Sequence, residues 1–395
     1  MRVAMIPTPE LASEWGSTLH AKLLIDRLAA AGVEVVAYCR SLPERANPSV
    51  RFRQLPLPVG HPVLVEEQIP DSDLASFTSL VAEAVVADHA GRPFDLVHAH
   101  YATITGLAGL WVKTLCGPKL VISSFGRDIY VGAARDARYR RMVELTVPLA
   151  DGLVASDEGV ARQLIDEFGA SAARVSTIPM GIDDRLFSPE NRRPGLREQL
   201  ARGADHLIVN VSSCFGVEKG IRHLLHATKC LTDRGLRVSL VIVGADDHED
   251  LRCERELREL AQELGLGDVV AFCGRVPHRE IPAYLGAADA VVDPRVVGSF
   301  SSVVLEALFS GAYVVASDVD SSRGWLSGGE HGVLHRAGDA DDLGRKLERI
   351  LTDGEQRARI RRAVADWPSA GGARLTADHM RDRILEAYRR ALASG

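Results

Sequence analysis

The chain has 395 residues, 46% hydrophobic and 25% charged, a composition that suits two ordinary domains better than one oversized core. With 47 Lys and Arg against 53 Asp and Glu, the net charge of −6 excludes the broad basic field that wraps nucleic acid. No apolar stretch of the sequence is long enough to span a bilayer, and the opening "MRVAMIP" lacks a signal-peptide core, so a cytoplasmic protein is expected.

In chain order, strands are expected at 2–7, 33–39, 94–100, 119–124 and 152–157, with an amphipathic helix at 16–32 carrying Leu19, Leu23, Leu24 and Leu28. A polar interval at 188–205 follows, and the pattern restarts with strands at 206–213, 237–244, 269–274, 288–294 and 312–317. Helices at 220–233, 250–264 and 301–310 separate them. Strand–helix–strand order predicts parallel sheets covered on both faces. The expected domains are residues 1–187, 188–372 and a terminal helical segment 373–395, which either caps the second domain or crosses back to the first. Two such α/β/α layers joined by one linker are expected to face each other across a deep cleft. The six cysteines form no CxxC pair and none has metal-ligand spacing to a histidine. They read as small residues, buried where they fall beside strands as Cys39 and Cys273 do, and neither a metal nor a cofactor is expected.

Five stretches carry chemistry. "EWGSTLH" brings Gly16 to a helix start, where exposed N–H groups suit an anion. "FDLVHAHY" puts His98 and His100 on one face of a strand end, with His98 the deeper and the better packed. "SSFGRDIY" sets Arg127 and Asp128 beyond the next strand; a solvated ion pair is the plain reading. "FGVEKGIRHLL" places Lys219 and Gly220 before a helix, where ammonium and helix N-terminus can share a phosphate. In "SFSSVVLEALFSG", Ser301 or Ser302 is expected to cap a helix. Glu306 then lies among apolar residues, either on a wet edge or holding both hydroxyls of a ribose.

Taken in order, these stretches resemble the retaining GT-B glycosyltransferases of family 4. "STIPMGIDDRLFSP" is similar to the family's P-x-G-x-D-x-x-x-F segment through Pro179, Gly181, Asp183 and Phe187, "GVEKG" to its donor-phosphate loop, and "FCGRVPHREIPAYLGAADAVVDP" to the border of the base. The resemblance implies two Rossmann-like domains, the first binding the acceptor and the second a nucleotide-sugar donor. It implies Glu306 on the ribose, Lys219 on the diphosphate and His100 by the transferred sugar. Gly16 falls near the diphosphate, Asp128 on the acceptor side, Arg275 and Val276 beside the base, and Ser299, Phe300, Ser301 and Ser302 in the donor loop. Three departures stand out: Gly298 where an acidic residue is common, Ser212, Ser213 and Cys214 where an Arg precedes the phosphate lysine, and Phe125 where a histidine is common. Arg323 is one candidate for the missing cation.

The implied reaction moves a sugar from a UDP- or GDP-linked donor to a small soluble acceptor, a thiol, cyclitol or aminocyclitol of bacterial specialised metabolism. A donor phosphate oxygen assists deprotonation on the face of attack. Two rivals stay open at this point, a nucleotide-sugar epimerase of the same architecture and a nucleotide-sugar-binding partner that has lost turnover. The implied partners are the donor and the acceptor, with no nucleic acid and no integral membrane segment; weak peripheral association and a homodimer stay open.

Overall fold

Apolar runs that alternate with helices become two separate parallel sheets in the computed structural model. It describes residues 1–14, 16–60, 69–245, 252–297, 301–326, 331–355, 359, 362–364, 366–367 and 372–394. The chain divides into two units, Met1–Gly181 with Leu375–Gly395, and Ile182–Arg374.

The first unit carries strands β1 (Arg2–Ile6), β2 (Glu34–Cys39), β3 (Arg51–Gln54), β4 (Leu96–His100), β5 (Lys119–Ser124), β6 (Gly152–Ala155) and β7 (Val175–Thr177). They pair in parallel in the order β3-β2-β1-β4-β5-β6-β7. Its helices are α1 (Gly16–Ala30), α2 (Asp71–Gly91), α3 (Ile104–Cys116), α4 (Ala137–Leu149) and α5 (Glu158–Asp166). Side chains alternate across β1, so Val3 and Met5 pack on one face and Ala4 and Ile6 on the other. The Ala4 face is covered by apolar residues of α2 to α5, such as Phe77, Val112, Val143 and Val160.

The second unit carries β8 (His206–Val211), β9 (Val238–Val243), β10 (Val270–Phe272), β11 (Ala290–Asp293), β12 (Val314–Ser317) and β13 (Gly332–His335). Their order is β10-β9-β8-β11-β12-β13, again all parallel. Around them lie α6 (Leu196–Ala201), α7 (Ile221–Asp233), α8 (Arg252–Glu263), α9 (Ile281–Ala287), α10 (Ser302–Phe309), α11 (Asp320–Leu326) and α12 (Ala340–Thr352). Successive residues Leu240, Val241 and Ile242 are all fully buried, as a sheet covered on both faces requires.

The final helix, α13 (Ala377–Ala393), belongs to the first unit. Its Met380, Ile384, Tyr388 and Ala391 pack with Leu24, Ile25 and Leu28 of α1 over the Val3 face of the first sheet. Gly181 lies against the start of α13, where an added Cβ would stand 2.8 Å from the Ala377 Cα and 2.9 Å from the Met380 Cβ. The glycine of the P-x-G segment is thus explained by close packing, at the point where the chain leaves the first unit. Strands β3, β7 and β13 were not expected; each is a short edge strand.

Candidate active site

In each sheet the strand order reverses once, between β1 and β4 and between β8 and β11. Open α/β sheets bind ligands beyond the carboxyl ends of their strands at such a reversal. Gly16, His100, Lys219, Ser301 and Glu306 lie at or beyond the ends of strands at these reversals, whereas Asp128 follows β5 and Arg275 and Val276 follow the edge strand β10.

In the first unit, β1 runs into a loop that Thr18 of α1 ties down, through Thr8 Oγ1 at 3.1 Å and Ser13 Oγ at 3.0 Å. Gly16 opens α1 with no heavy atom within 4 Å of where its Cβ would stand. Packing therefore does not demand glycine there, and the helix start lies open.

His98 and His100 share the face of β4 that Leu96 presents to α1 and α13. The expected difference in depth between them is absent, since both are 0% exposed. They differ in their partners. His98 has both ring nitrogens satisfied, Nδ1 with the Tyr388 hydroxyl at 2.6 Å and Nε2 with Ser123 Oγ at 2.8 Å. Among the described residues, His100 has no hydrogen-bond partner for either ring nitrogen. Its ring centroid stands 5.1 Å from that of His98, 5.8 Å from that of His20 and 5.3 Å from that of Phe125. Burial pushes the His98 imidazole down to about 3 and the His20 imidazole to about 4, and holds His100 well below its usual range. All three rings are uncharged at neutral pH. A neutral imidazole both donates and accepts, which matches a hydroxyl group.

Asp128 is no solvated ion-pair partner. It is fully buried in the π-helical segment Arg127–Ala133, and its carboxylate accepts from the Ala102 amide at 3.0 Å and from Ser124 Oγ at 2.9 Å. Burial raises it to about 6 although these hydrogen bonds pull the other way. Asp128 thus binds the end of β5 to the turn after β4, where Tyr101 adopts φ 75°.

In the second unit, β8 leads through Ser212, whose hydroxyl donates to the Cys214 carbonyl at 2.6 Å, to a 3-10 turn at Val217–Lys219. Gly220, at φ 68°, joins that turn to α7; an added Cβ would overlap the Pro294 carbonyl and stand 2.8 Å from its carbon. The Val296 amide donates to the Glu218 carbonyl at 2.9 Å. The Lys219 turn is thereby locked against the end of β11, across the reversal of the sheet.

Beyond β11 a polar cluster forms that sequence reasoning missed. Arg295 Nε lies 2.9 Å from Asp293 Oδ2, Arg295 Nη2 donates to Ser301 Oγ at 2.8 Å, and Ser301 Oγ donates to Asp293 Oδ2 at 2.6 Å. Ser301 occupies the position before α10, yet its side chain does not cap the helix, because these two charged neighbours take its hydroxyl. Ser302 is the first residue of α10 and half-buried.

Glu306 is 7% exposed, which overturns the wet-edge reading. Its Oε1 lies 3.4 Å from His278 Nε2, and the His278 ring meets the buried Phe187 edge-on at 5.2 Å. Phe187, the last residue of the P-x-G-x-D-x-x-x-F segment, thus supports the ribose candidate through His278, which stands in the quoted "GRVPHRE". Arg275, exposed, and Val276, half-buried, follow β10 ahead of the helical turn His278–Glu280. Arg323 pairs with Asp318 at 2.6 Å on the surface. Gly298, Ser299 and Phe300 lie outside the described residues. Cys39 is buried, whereas Cys273 is half-buried. Among the described residues, no cluster of three or more His, Cys, Asp or Glu side chains suits a metal, and no helix is long and apolar enough to cross a membrane.

Residues 16–181 match the Glycosyl transferase 4-like domain, and residues 193–367 match Glycosyl transferases group 1. The D-inositol 3-phosphate glycosyltransferase of Thermomonospora curvata is 31% identical, over 96% of this chain and 91% of its own. The enzyme of the same name from Thermobifida fusca is 32% identical, over 78% and 72%. Among solved structures, the sucrose-phosphate synthase of Thermosynechococcus elongatus matches over the whole of both chains, with a TM-score of 0.84 and 24% identity. Anabaena HepE in complex with UDP matches over 98% of this chain and 100% of its own, with a TM-score of 0.79 and 19% identity. These likenesses show the GT-B fold, and with the family matches they establish that the chain belongs to the group 1 glycosyl transferases, family 4, and is a glycosyltransferase.

Proposed function

We propose that the protein transfers a sugar from a UDP- or GDP-linked donor to a hydroxyl of a small cyclitol-type acceptor, with retention of anomeric configuration. The observation that carries the donor half is the reversal point of the second sheet. Lys219 sits there in a turn locked to β11, and Glu306 is buried on the helix that starts from the same edge. Lys219 stabilises charge growing on the leaving diphosphate, with the amides of Ser301 and Ser302 at the positive end of α10. Glu306 accepts both ribose hydroxyls, and backbone groups at Arg275 and Val276 border the base. Ser299 and Phe300 are assigned to the donor, and Gly16 to its diphosphate. His100, neutral and with both nitrogens uncommitted, takes a hydroxyl of the transferred sugar.

The acceptor half draws on the relatives, which are named for D-inositol 3-phosphate. Retention follows from same-face attack, in which a donor phosphate oxygen receives the acceptor proton. Asp128 acts through the turn it holds, since its carboxylate is committed to Ala102 and Ser124. No pair of carboxylates of the glycosidase kind is needed. Membership of the family favours transfer over epimerisation.

The test incubates UDP-, GDP- and dTDP-sugars with a panel of inositols and inositol phosphates, and reads product by mass spectrometry and anomeric configuration by NMR. Glu306→Ala is expected to weaken donor binding by about 1.5–3 kcal/mol at unchanged melting temperature. Wild-type affinity in the folded variant would leave Glu306 as a partner of His278 and nothing more.

A further inference from the structure

A nucleoside diphosphate brings two or three negative charges, and Lys219 answers one of them. The position five residues before it is Cys214, which supplies no charge. The next loop at the same sheet reversal does supply one. Arg295 follows Pro294, whose carbonyl packs on Gly220, and precedes Val296, whose amide bonds to the Lys219 turn at Glu218. Its side chain is 12% exposed and paired with an Asp293 that is 8% exposed. It also donates to Ser301, the residue before α10. A guanidinium at the positive end of a helix is repelled by the helix dipole, so it needs a counter-anion beside it. Asp293 offsets the repulsion and fixes the planar fork, a geometry that suits phosphate oxygens better than an ammonium does. Arg323, the cation suggested by the sequence, lies on α11 and is 55% exposed on its side chain beside Asp318.

We propose that Arg295, oriented by Asp293 and Ser301, is the second cation of the donor-diphosphate site and replaces a guanidinium from the β8 loop. The proposal rests on the nucleotide-sugar reading given above. It separates from that reading by comparing diphosphate with monophosphate.

Titration calorimetry of the full chain with UDP, GDP and dTDP, and with the matching monophosphates, makes the test. The variants are Arg295→Lys and the double change Asp293→Asn with Arg295→Gln, which leaves no buried charge unpaired. The double variant is expected to bind the diphosphate about tenfold to a hundredfold more weakly, and the monophosphate within about threefold of wild type. Arg295→Lys is expected to fall between. Equal loss for both nucleotides would reduce Arg295 to a tie between β11 and α10 and overturn the proposal. Unchanged diphosphate affinity in a folded variant would overturn it too, while leaving the donor reading intact. A wild-type protein that binds none of the three diphosphates would sink both.

Discussion

His20, His98 and His100 form a row of uncharged imidazoles under the first sheet's carboxyl edge, and their burial makes a prediction about acid. Unfolded, each takes a proton near 6.5; folded, His98 and His20 do so only at about 3 and about 4, and His100 lies in the same direction. Below 6.5 the unfolded chain therefore binds more protons, and their contribution to stability is lost as pH falls from 6.5 toward 4. Asp128 acts in the opposite sense, since its folded value of about 6 stands above its unfolded 3.8. Its contribution is whole below 3.8 and lost as pH rises through 6. Three groups outweigh one, so urea unfolding at pH 7.5, 6.5 and 5.5 is expected to show declining stability. A flat or rising series would mean that the imidazoles are solvated. Little of this was legible beforehand, because the partner that finishes His98 is Tyr388, 290 residues away. Likewise, the serine before α10 obeys the capping rule in position and breaks it in bonding, since Asp293 and Arg295 are placed by a different strand.

At the scale of elements, glycine joints fix the candidate site. Gly220→Ala forces a Cβ into the Pro294 carbonyl and strains φ 68°, so the Lys219 turn must move away from β11. Nucleoside diphosphate binding is expected to fall at least tenfold, with a modest loss of melting temperature of a few degrees. Wild-type binding would show that the contact between these loops does not organise the site. Long, mostly apolar runs such as "VSLVIV" announced the central strands, because a sheet covered on both faces favours near-continuous apolar sequence. Strand β3, with its four residues RFRQ partly exposed at an edge, carries no such signal. Strands β7 (Val175–Thr177) and β13 (Gly332–His335) are short and lie in stretches that do not continue into a long apolar run. Lys219 and Gly220 were legible as a motif, yet the reason for the glycine lies in Pro294, across the sheet reversal.

At the scale of the molecule, the chain crosses between its units twice, at 181/182 and at 374/375, and the first unit is finished only by the last helix. Without α13, the face carrying Val3, Met5, Leu96, Val121 and Val154 loses the cover of Met380, Ile384 and Tyr388. Ending the chain at Arg374 is therefore expected to leave Ile182–Arg374 folded and the first unit open to protease. Limited proteolysis with mass spectrometry would show it, and equal resistance in both halves would refute it.

That closing helix also sets an order of events on the ribosome. Residues 1–181 cannot complete their core until α13 has left the exit tunnel, a wait of roughly ten seconds or more at bacterial elongation rates. The unit made second has all its strands in hand earlier and can finish first. During that wait the nascent first sheet presents a row of apolar side chains to solvent, which makes this stretch of the chain a natural client for a chaperone that binds as translation proceeds.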